Sequence, residues 1–539
     1  MNATERNHRV WLLFLGLLCF IPLLGGVHLF DWDEINFAEC AREMIASKNY
    51  LDVQMAFQPF YEKPPFFIWL QVVSMKTFGV GEFAARFPNA ICGVLTLQVV
   101  YTVGKKWFNE QIGWLWAFAF LISLLPHFYF KTGIIDPWFN LFIFLTLVHL
   151  HAYLSNGKNN AAALAGLWLG LAILTKGPVA ALLVGVTGIL FLVICIWKAK
   201  RNKWPSIRLN GSALFWFFFI ALLPSLLWYG AAIYRNGVEY MNEFIAYQIR
   251  LLQTEDAGHG GFPGYHVVVL LFGCFPASFF ALKRLFFRNN PDRMQYLMGI
   301  LFWVVLVLFS LVQSKIVHYS SLAYFPITYF AALGWYDIVH RQQPIPRSLV
   351  YTITAFMVVL GFIVCCLPWL GNHKEVWQFL LEKDAFAKAN LQAQVQWNYK
   401  QAIPGVFLLL GGAIFLCQYR RKAKFALLGL GIGVLLFIQS AILLITPNIE
   451  AISQRAAIDF FQNKAGENAY LVSYGYKSYA PYFYGRLQPG STPPSTWLDK
   501  EISKPVYLVA KITSASDPFL QQQIRLYEKN GFVFYRMNK

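Results

Sequence analysis

The chain has 539 residues, of which 57% are hydrophobic, 18% aromatic and only 13% charged, with a formal net charge of +18 at pH 7. Those proportions exclude a soluble globular chain and imply a bilayer as solvent. The basic excess lies in short loops between apolar runs, so it reads as membrane topology and not as a stripe for nucleic acid.

A spanning helix needs about 20 mostly apolar residues to cross a hydrocarbon core roughly 30 Å thick. The first such run, 10–30, holds no charged residue and follows a short basic start at Arg6, His8 and Arg9. No small-residue cleavage site follows it, so it is read as a retained span and not as a signal peptide. Further runs lie near 86–104, 111–128, 137–154, 160–174, 179–197, 211–233, 265–282, 295–313, 319–338, 348–369, 403–418 and 425–446, which makes about thirteen. As a single helix, 160–197 would reach about 57 Å at 1.5 Å per residue. The predicted break is therefore at Gly177-Pro178.

Alternate loops carry the Lys and Arg excess: Lys105-Lys106, Lys158, the Lys198 to Lys203 cluster, Lys283 to Arg293, Arg341 with Arg347, and Arg420 to Lys424. By the positive-inside rule these loops and the N-terminus are cytoplasmic, and the remaining loops and the tail lie outside. The expected fold is a polytopic α-helical membrane domain over 1–446, with a long first outer loop at 31–85 and a small α/β domain over 447–539. In that tail the pattern predicts helices near 450–464 and 517–529, strands at 470–473, 506–510 and 532–535, and a Pro-rich turn at 489–494.

The first outer loop opens Asp31-Trp32-Asp33-Glu34 and continues with Ile35, Ala38, Ala41 and Ile45 on one helical face. That spacing describes an amphipathic helix lying in the membrane interface, with Asp33 as its N-cap. The acids either cap and solvate this helix, or Asp33 faces a surface cavity where partial desolvation tunes a carboxylate as a base or an electrostatic stabiliser. A second amphipathic stretch follows Tyr61-Glu62-Lys63-Pro64-Pro65. Glu62 and Lys63 form either a surface ion pair or, for Lys63, a point charge for phosphate. Lys176, Arg250 and Lys315 also sit on the outer side where apolar runs end. Each alone reads as an interface anchor; converging opposite acids, they suit a phosphodiester or pyrophosphate at the membrane surface. Asp136, at the outer end of another span, adds a second acid whose closeness to hydrocarbon is costly unless paired or functional. Histidines 259, 266 and 318 lie on the same side and with Glu62 would offer ligands to a divalent ion, although no metal-ligand spacing joins them.

Taken in order, several segments resemble one family. Asp33-Glu34, Ala38-Glu39, Ala41-Arg42-Glu43-Met44, Tyr61 to Pro65, Phe78-Gly79 and Phe83 to Pro88 look like the first outer loop of the lipid A aminoarabinose transferases, which share the GT-C superfamily with the protein O-mannosyltransferases. Thr175-Lys176-Gly177-Pro178, Tyr247 to Arg250 and Ser314 to Tyr319 match in the same order. The resemblance covers roughly the first 335 residues. It implies an inverting transferase of the inner membrane that takes a sugar from a polyprenyl-phosphate donor, with its site on the periplasmic face. The acceptor it implies is lipid A or another glycolipid, a polysaccharide or a protein. Carried over by position, Asp33 is the catalytic acid, with Glu34 and Asp136 beside it. Lys63, Lys176 and Arg250, with Lys315 and Tyr319, hold the donor phosphate. Glu62 takes the position of a ligand to a divalent ion (Zn or Mg), with His259 or His266 as partners, since this chain has Ala246-Tyr247 where relatives often carry an acid and a histidine. The chemistry itself requires no cofactor. A transporter or flippase is the other class such a chain suits, but transporters place charged sites near the midplane and show repeated halves, and neither pattern is present here.

Overall fold

A computed structural model describes residues 3–205, 207, 209–253, 260–286, 291–492 and 504–537. Among these residues, eight helices are long and apolar enough to cross a bilayer: Glu82–Trp107, Asp136–Asn156, Val179–Lys200, Gly211–Asn236, Arg293–Leu311, Arg347–Asn372, Tyr399–Gln418 and Ala423–Leu444. They expose rows of large apolar side chains, including Phe215, Phe218, Leu226, Leu227, Val359 and Phe362. Such faces are stable only against lipid. Small residues let other faces close tightly: a Cβ on Gly113 would lie 2.5 Å from the Tyr101 carbonyl oxygen of the preceding helix.

The other five expected spans are shorter or interrupted, and the interruptions have local causes. The run 10–30 is helical only to Phe20; Pro22 and the Gly25-Gly26 pair then carry it through turns. The run 111–128 divides into Glu110–Ile122 and Leu124–Tyr129 around an extended Ser123. The run 265–282 divides into Tyr265–Gly273 and Ala277–Phe286, and Pro276 lacks the amide that would continue the ladder. Val317–Ala323 is a 3-10 turn ahead of Tyr324–Val339. Asn159–Lys176 stands apart from the next helix because Gly177 takes φ +85°, so the expected break at Gly177-Pro178 is present.

The first loop departs from expectation in its surroundings. Its helix, Asp33–Ser47, presents no open polar face: all residues from Glu34 to Met44 are buried. Nor does Asp33 cap it, since Trp32 holds that position and makes no side-chain cap bond. Ile35, Ala38, Ala41 and Met44 pack instead in one core with Phe461, Leu471, Val509, Phe532 and Phe534 of the tail. A single helix pattern cannot show that a distant domain covers its polar face.

A short hairpin, β1 (Gln54–Met55) and β2 (Gln58–Pro59), follows in this loop, then the helix Phe66–Phe78. The tail begins with helices Thr446–Ser453 and Arg455–Asn463 and builds a four-stranded sheet from β3 (Tyr470–Tyr474), β4 (Val506–Lys511), β5 (Ile524–Lys529) and β6 (Phe532–Arg536), in the order β3-β4-β6-β5. β3 and β4 run parallel, and the other pairs are antiparallel. The helix expected over 517–529 is a single turn, Pro518–Gln521, followed by an exposed edge strand. Asn530 and Gly531 have φ of 51° and 77°. That is the Asn-Gly signature of a tight hairpin, which outweighs the weak helical period before it.

Candidate active site

Between the first loop, the ends of the membrane helices and the tail sheet lies a cavity of about 1110 Å³. The first loop supplies Asp31, Trp32, Asp33, Glu34, Glu62 and Lys63 to its wall. The helix starting at Asp136 and the one ending at Lys176 supply those two residues, and Tyr247, His318 and Tyr319 complete this side.

The polar groups form two linked sets. Lys176 Nζ donates to Asp136 Oδ1 at 2.6 Å, and its ammonium stands 5.1 Å from the Tyr319 ring centre and 5.5 Å from that of Phe139. His318 Nε2 lies 3.8 Å from Asp136 Oδ2 and 3.5 Å from Asp33 Oδ2. Asp136 is therefore held by Lys176, with the His318 ring close by, while Asp33, 43% exposed, turns its carboxylate to the cavity. In the second set, Lys63 Nζ donates to the Tyr247 hydroxyl at 3.4 Å, and that hydroxyl donates to Glu62 Oε2 at 3.1 Å. Burial lowers the pKa of the Lys63 ammonium against the pull of Glu62, so an anion arriving beside it would restore what desolvation removed. The adjacent Asp31 carboxyl is pushed up by burial, partly offset by hydrogen bonds to Ser478 and Tyr479.

The structure thus brings Asp33, Glu62, Lys63, Asp136, Lys176 and Tyr319 to one space. Three other candidates are placed differently. Glu34 touches the cavity, but both its oxygens are spent: Oε1 and Oε2 each accept from the Arg86 guanidinium at 2.8 Å, Oε2 also from the Phe30 amide at 2.8 Å and Oε1 from the Gly133 amide at 2.6 Å. It is a strut between the first loop, the membrane helix Glu82–Trp107 and the turn before Asp136–Asn156, not a group available for chemistry. Lys315 is 7% exposed and donates to the carbonyls of Phe309, Ser310 and Val312. There it closes the C-terminal end of Arg293–Leu311 and does not reach the cavity. Arg250 lies one turn beyond Tyr247 on the helix Glu239–Gln253, outside the cavity wall, its guanidinium 5.2 Å from the Tyr247 ring centre.

Of the residues implied for a divalent ion, Glu62 and His266 are described, and they do not come together. His266 is fully buried and its Nδ1 pairs with Ser320 Oγ at 3.1 Å, away from Glu62. His318 is engaged by Asp33 and Asp136, and His259 lies outside the described residues. Among those residues no group of three or more His, Cys, Asp or Glu side chains is placed to hold a metal.

Sequence reasoning missed the contribution of the tail. Tyr476, Lys477 and Tyr479, after β3, and Lys511, at the end of β4, reach into the same cavity. Lys477 Nζ lies 4.7 Å from the Trp32 ring centre and Lys511 Nζ lies 4.7 Å from that of Phe386. Aromatic residues flanking Lys477 in Tyr476-Lys477-Ser478-Tyr479 were the one local signal.

Fold and cavity together define a polytopic helical membrane protein whose polar chamber is closed by a small sheet domain. The same fold is seen in the crystal structure of ArnT from Cupriavidus metallidurans bound to undecaprenyl phosphate, at a TM-score of 0.77 and 19% identity over 99% of this chain and 98% of that one. In sequence, residues 62–228 match the family described as dolichyl-phosphate-mannose-protein mannosyltransferase. The undecaprenyl phosphate-alpha-4-amino-4-deoxy-L-arabinose arabinosyl transferase of Enterobacter sp. (strain 638) is 26% identical over 75% of this chain and 76% of its own length. That of Yersinia enterocolitica serotype O:8 is also 26% identical, over 74% of each. These similarities meet the resemblance carried by the first-loop motifs.

Proposed function

We propose that the protein is a glycosyltransferase that takes a sugar from a polyprenyl-phosphate donor and passes it to an envelope acceptor at the outer face of the membrane. The observation that carries this is the meeting of one cavity-facing carboxylate, Asp33, with two buried or half-buried ammonium groups, Lys63 and Lys176, at the mouth of the membrane helices. The named activities of the relatives support the donor class.

A glycosyl phosphate carries its own leaving group, so the protein must place the acceptor and neutralise the departing phosphate as charge develops. The bond between the anomeric carbon and the phosphate oxygen breaks, and the acceptor oxygen bonds to that carbon from the opposite face, with inversion. The electron pair leaves with the polyprenyl phosphate, beside Lys63 and Lys176. An acceptor hydroxyl would give its proton to Asp33, with His318 steadying the carboxylate; an acceptor phosphate would need only orientation. Lys176 is poised for this exchange, since its pairing with Asp136 can be shared with an incoming phosphate.

Lys105-Lys106, Lys198 with Lys200, and Lys422 with Lys424 end or begin helices away from the first loop, which supports a cytoplasmic N-terminus and a periplasmic site. The acceptor is a glycolipid, a polysaccharide or a protein. Purified protein given radiolabelled polyprenyl-phosphate sugars should move label into one of these fractions of the envelope. Release of label only to water, or none from any donor, would refute the reading.

A further inference from the structure

The tail places a lysine where the resemblance implies a metal ion. Glu62 Oε2 is taken by the Tyr247 hydroxyl at 3.1 Å, and its other oxygen, Oε1, faces Lys477 Nζ at 3.9 Å. The Lys477 side chain is 57% exposed, and its ammonium stands 4.7 Å from the ring centre of Trp32 and 5.5 Å from that of Tyr479. Cation-aromatic contacts of this kind favour that position modestly at an exposed site. Both Lys477 and Glu62 line the cavity.

We propose that Lys477, carried into the cavity by the tail domain, does at Glu62 the electrostatic work of a divalent ion, and that the reaction of this chain is independent of metal. This rests on the glycosyl-transfer reading above. A zinc ion bound to Glu62 would sit roughly 2.0–2.2 Å from a carboxylate oxygen. An ammonium held beside the same carboxylate would then repel it at close range. Lys63, which donates to the same Tyr247 hydroxyl, adds a second cation whose charge Glu62 feels. A protonated lysine has no lone pair to offer a metal, yet three N–H donors to offer a phosphate oxygen. Lys477 is thus a positioning residue: it faces Glu62 Oε1 and lines the chamber in which the donor phosphate is neutralised.

The test uses the full-length protein in detergent, purified in the presence and absence of chelator. Metal content is read by elemental analysis, and transfer by radiolabelled donor. The expected result is protein with substoichiometric metal, a transfer rate unchanged by chelator or by added zinc or magnesium, and a fall in kcat for Lys477→Gln of about tenfold or more, the loss of one charge-assisted contact. Lys477→Arg should recover most of that rate, which a purely structural defect would not predict. Stoichiometric metal removed by chelator together with activity would overturn the proposal, as would a Lys477→Gln protein with wild-type kcat. If the wild-type protein transfers no sugar at all, the functional reading fails. The metal content still decides the present point: absence of metal supports it and stoichiometric metal overturns it.

Discussion

Replacing Glu34 by Gln separates a structural acid from a catalytic one. The wild-type carboxylate is 4% exposed and holds four donors: two from Arg86 and the amides of Phe30 and Gly133. Burial, the largest single influence, would raise its pKa, but the Arg86 guanidinium together with the Phe30 and Gly133 amides outweighs it and the result is a lowered value. In E34Q the new amide nitrogen must face one Arg86 N–H and one backbone N–H, while the remaining oxygen keeps one bond from Arg86, which also keeps its bonds to the carbonyls of Leu24, Val27 and His28. Removing one partner of a buried pair costs about 3–5 kcal/mol. The three remaining carbonyl bonds place the loss near the lower end, roughly 3 kcal/mol. In detergent the apparent Tm of E34Q should fall by several degrees while turnover per folded molecule is kept. Because the folded pKa is lowered, this contribution is present above the ordinary carboxylate range and is lost as pH falls through the folded value. The Tm difference between wild type and E34Q should therefore shrink in acid. A mutant with wild-type Tm and no turnover would show that the strut assignment is wrong and that Glu34 acts in chemistry.

The remaining predictions concern other parts of the same frame. Lys63→Ala and Lys176→Ala should each weaken donor binding by roughly 1.5–3 kcal/mol, the scale of a charge-assisted hydrogen bond, and the double mutant should be non-additive because both act on one phosphate; additive small losses in titrations of polyprenyl phosphate would point to independent interface anchors. Glu43 is buried beside Glu39, and its carboxyl is pushed up to about 9, first by burial and then by the Glu39 charge. The native state thus binds a proton that the unfolded chain releases, and stability falls as pH rises from the ordinary carboxylate range to about 9. Glu43→Gln, neutral throughout, should gain on wild type across that window in thermal melts; parallel melting curves would show that Glu43 is ionised in the fold. Gly531→Ala should destabilise the tail by about 1 kcal/mol or more, since Gly531 has φ 77° and a Cβ there would lie 2.8 Å from Asn390 Oδ1. Unchanged protease resistance of the tail would contradict this.

Much of this architecture is legible along the chain because a bilayer demands long apolar runs and because Gly177-Pro178 marks a break that any helix must respect. Asp33, Lys63 and Lys176 stand out for the same reason: charges at the ends of apolar runs need an explanation. Glu34 and Lys315 stand out equally, and their roles differ only through the partners the fold gives them, Arg86 for the one and the Phe309 to Val312 carbonyls for the other. The tail lysines were invisible because nothing in a polar α/β segment shows which side chains a neighbouring domain receives. The buried state of Asp33–Ser47 was hidden likewise, since a helix with acids on one face reads as solvated until the sheet that covers it is known.

The most direct test of the proposed site is Asp33→Asn, read for donor binding and for transfer in the same preparation. The carboxylate faces the cavity beside His318 and makes no ion pair with Lys63 or Lys176, the lysines assigned to phosphate. D33N is expected to bind polyprenyl phosphate as wild type does, to keep its Tm, and to lose transfer by roughly 10²-fold or more, the scale of a lost general base. Transfer by D33N at a near-normal rate would remove Asp33 from the reaction and contradict the site as described.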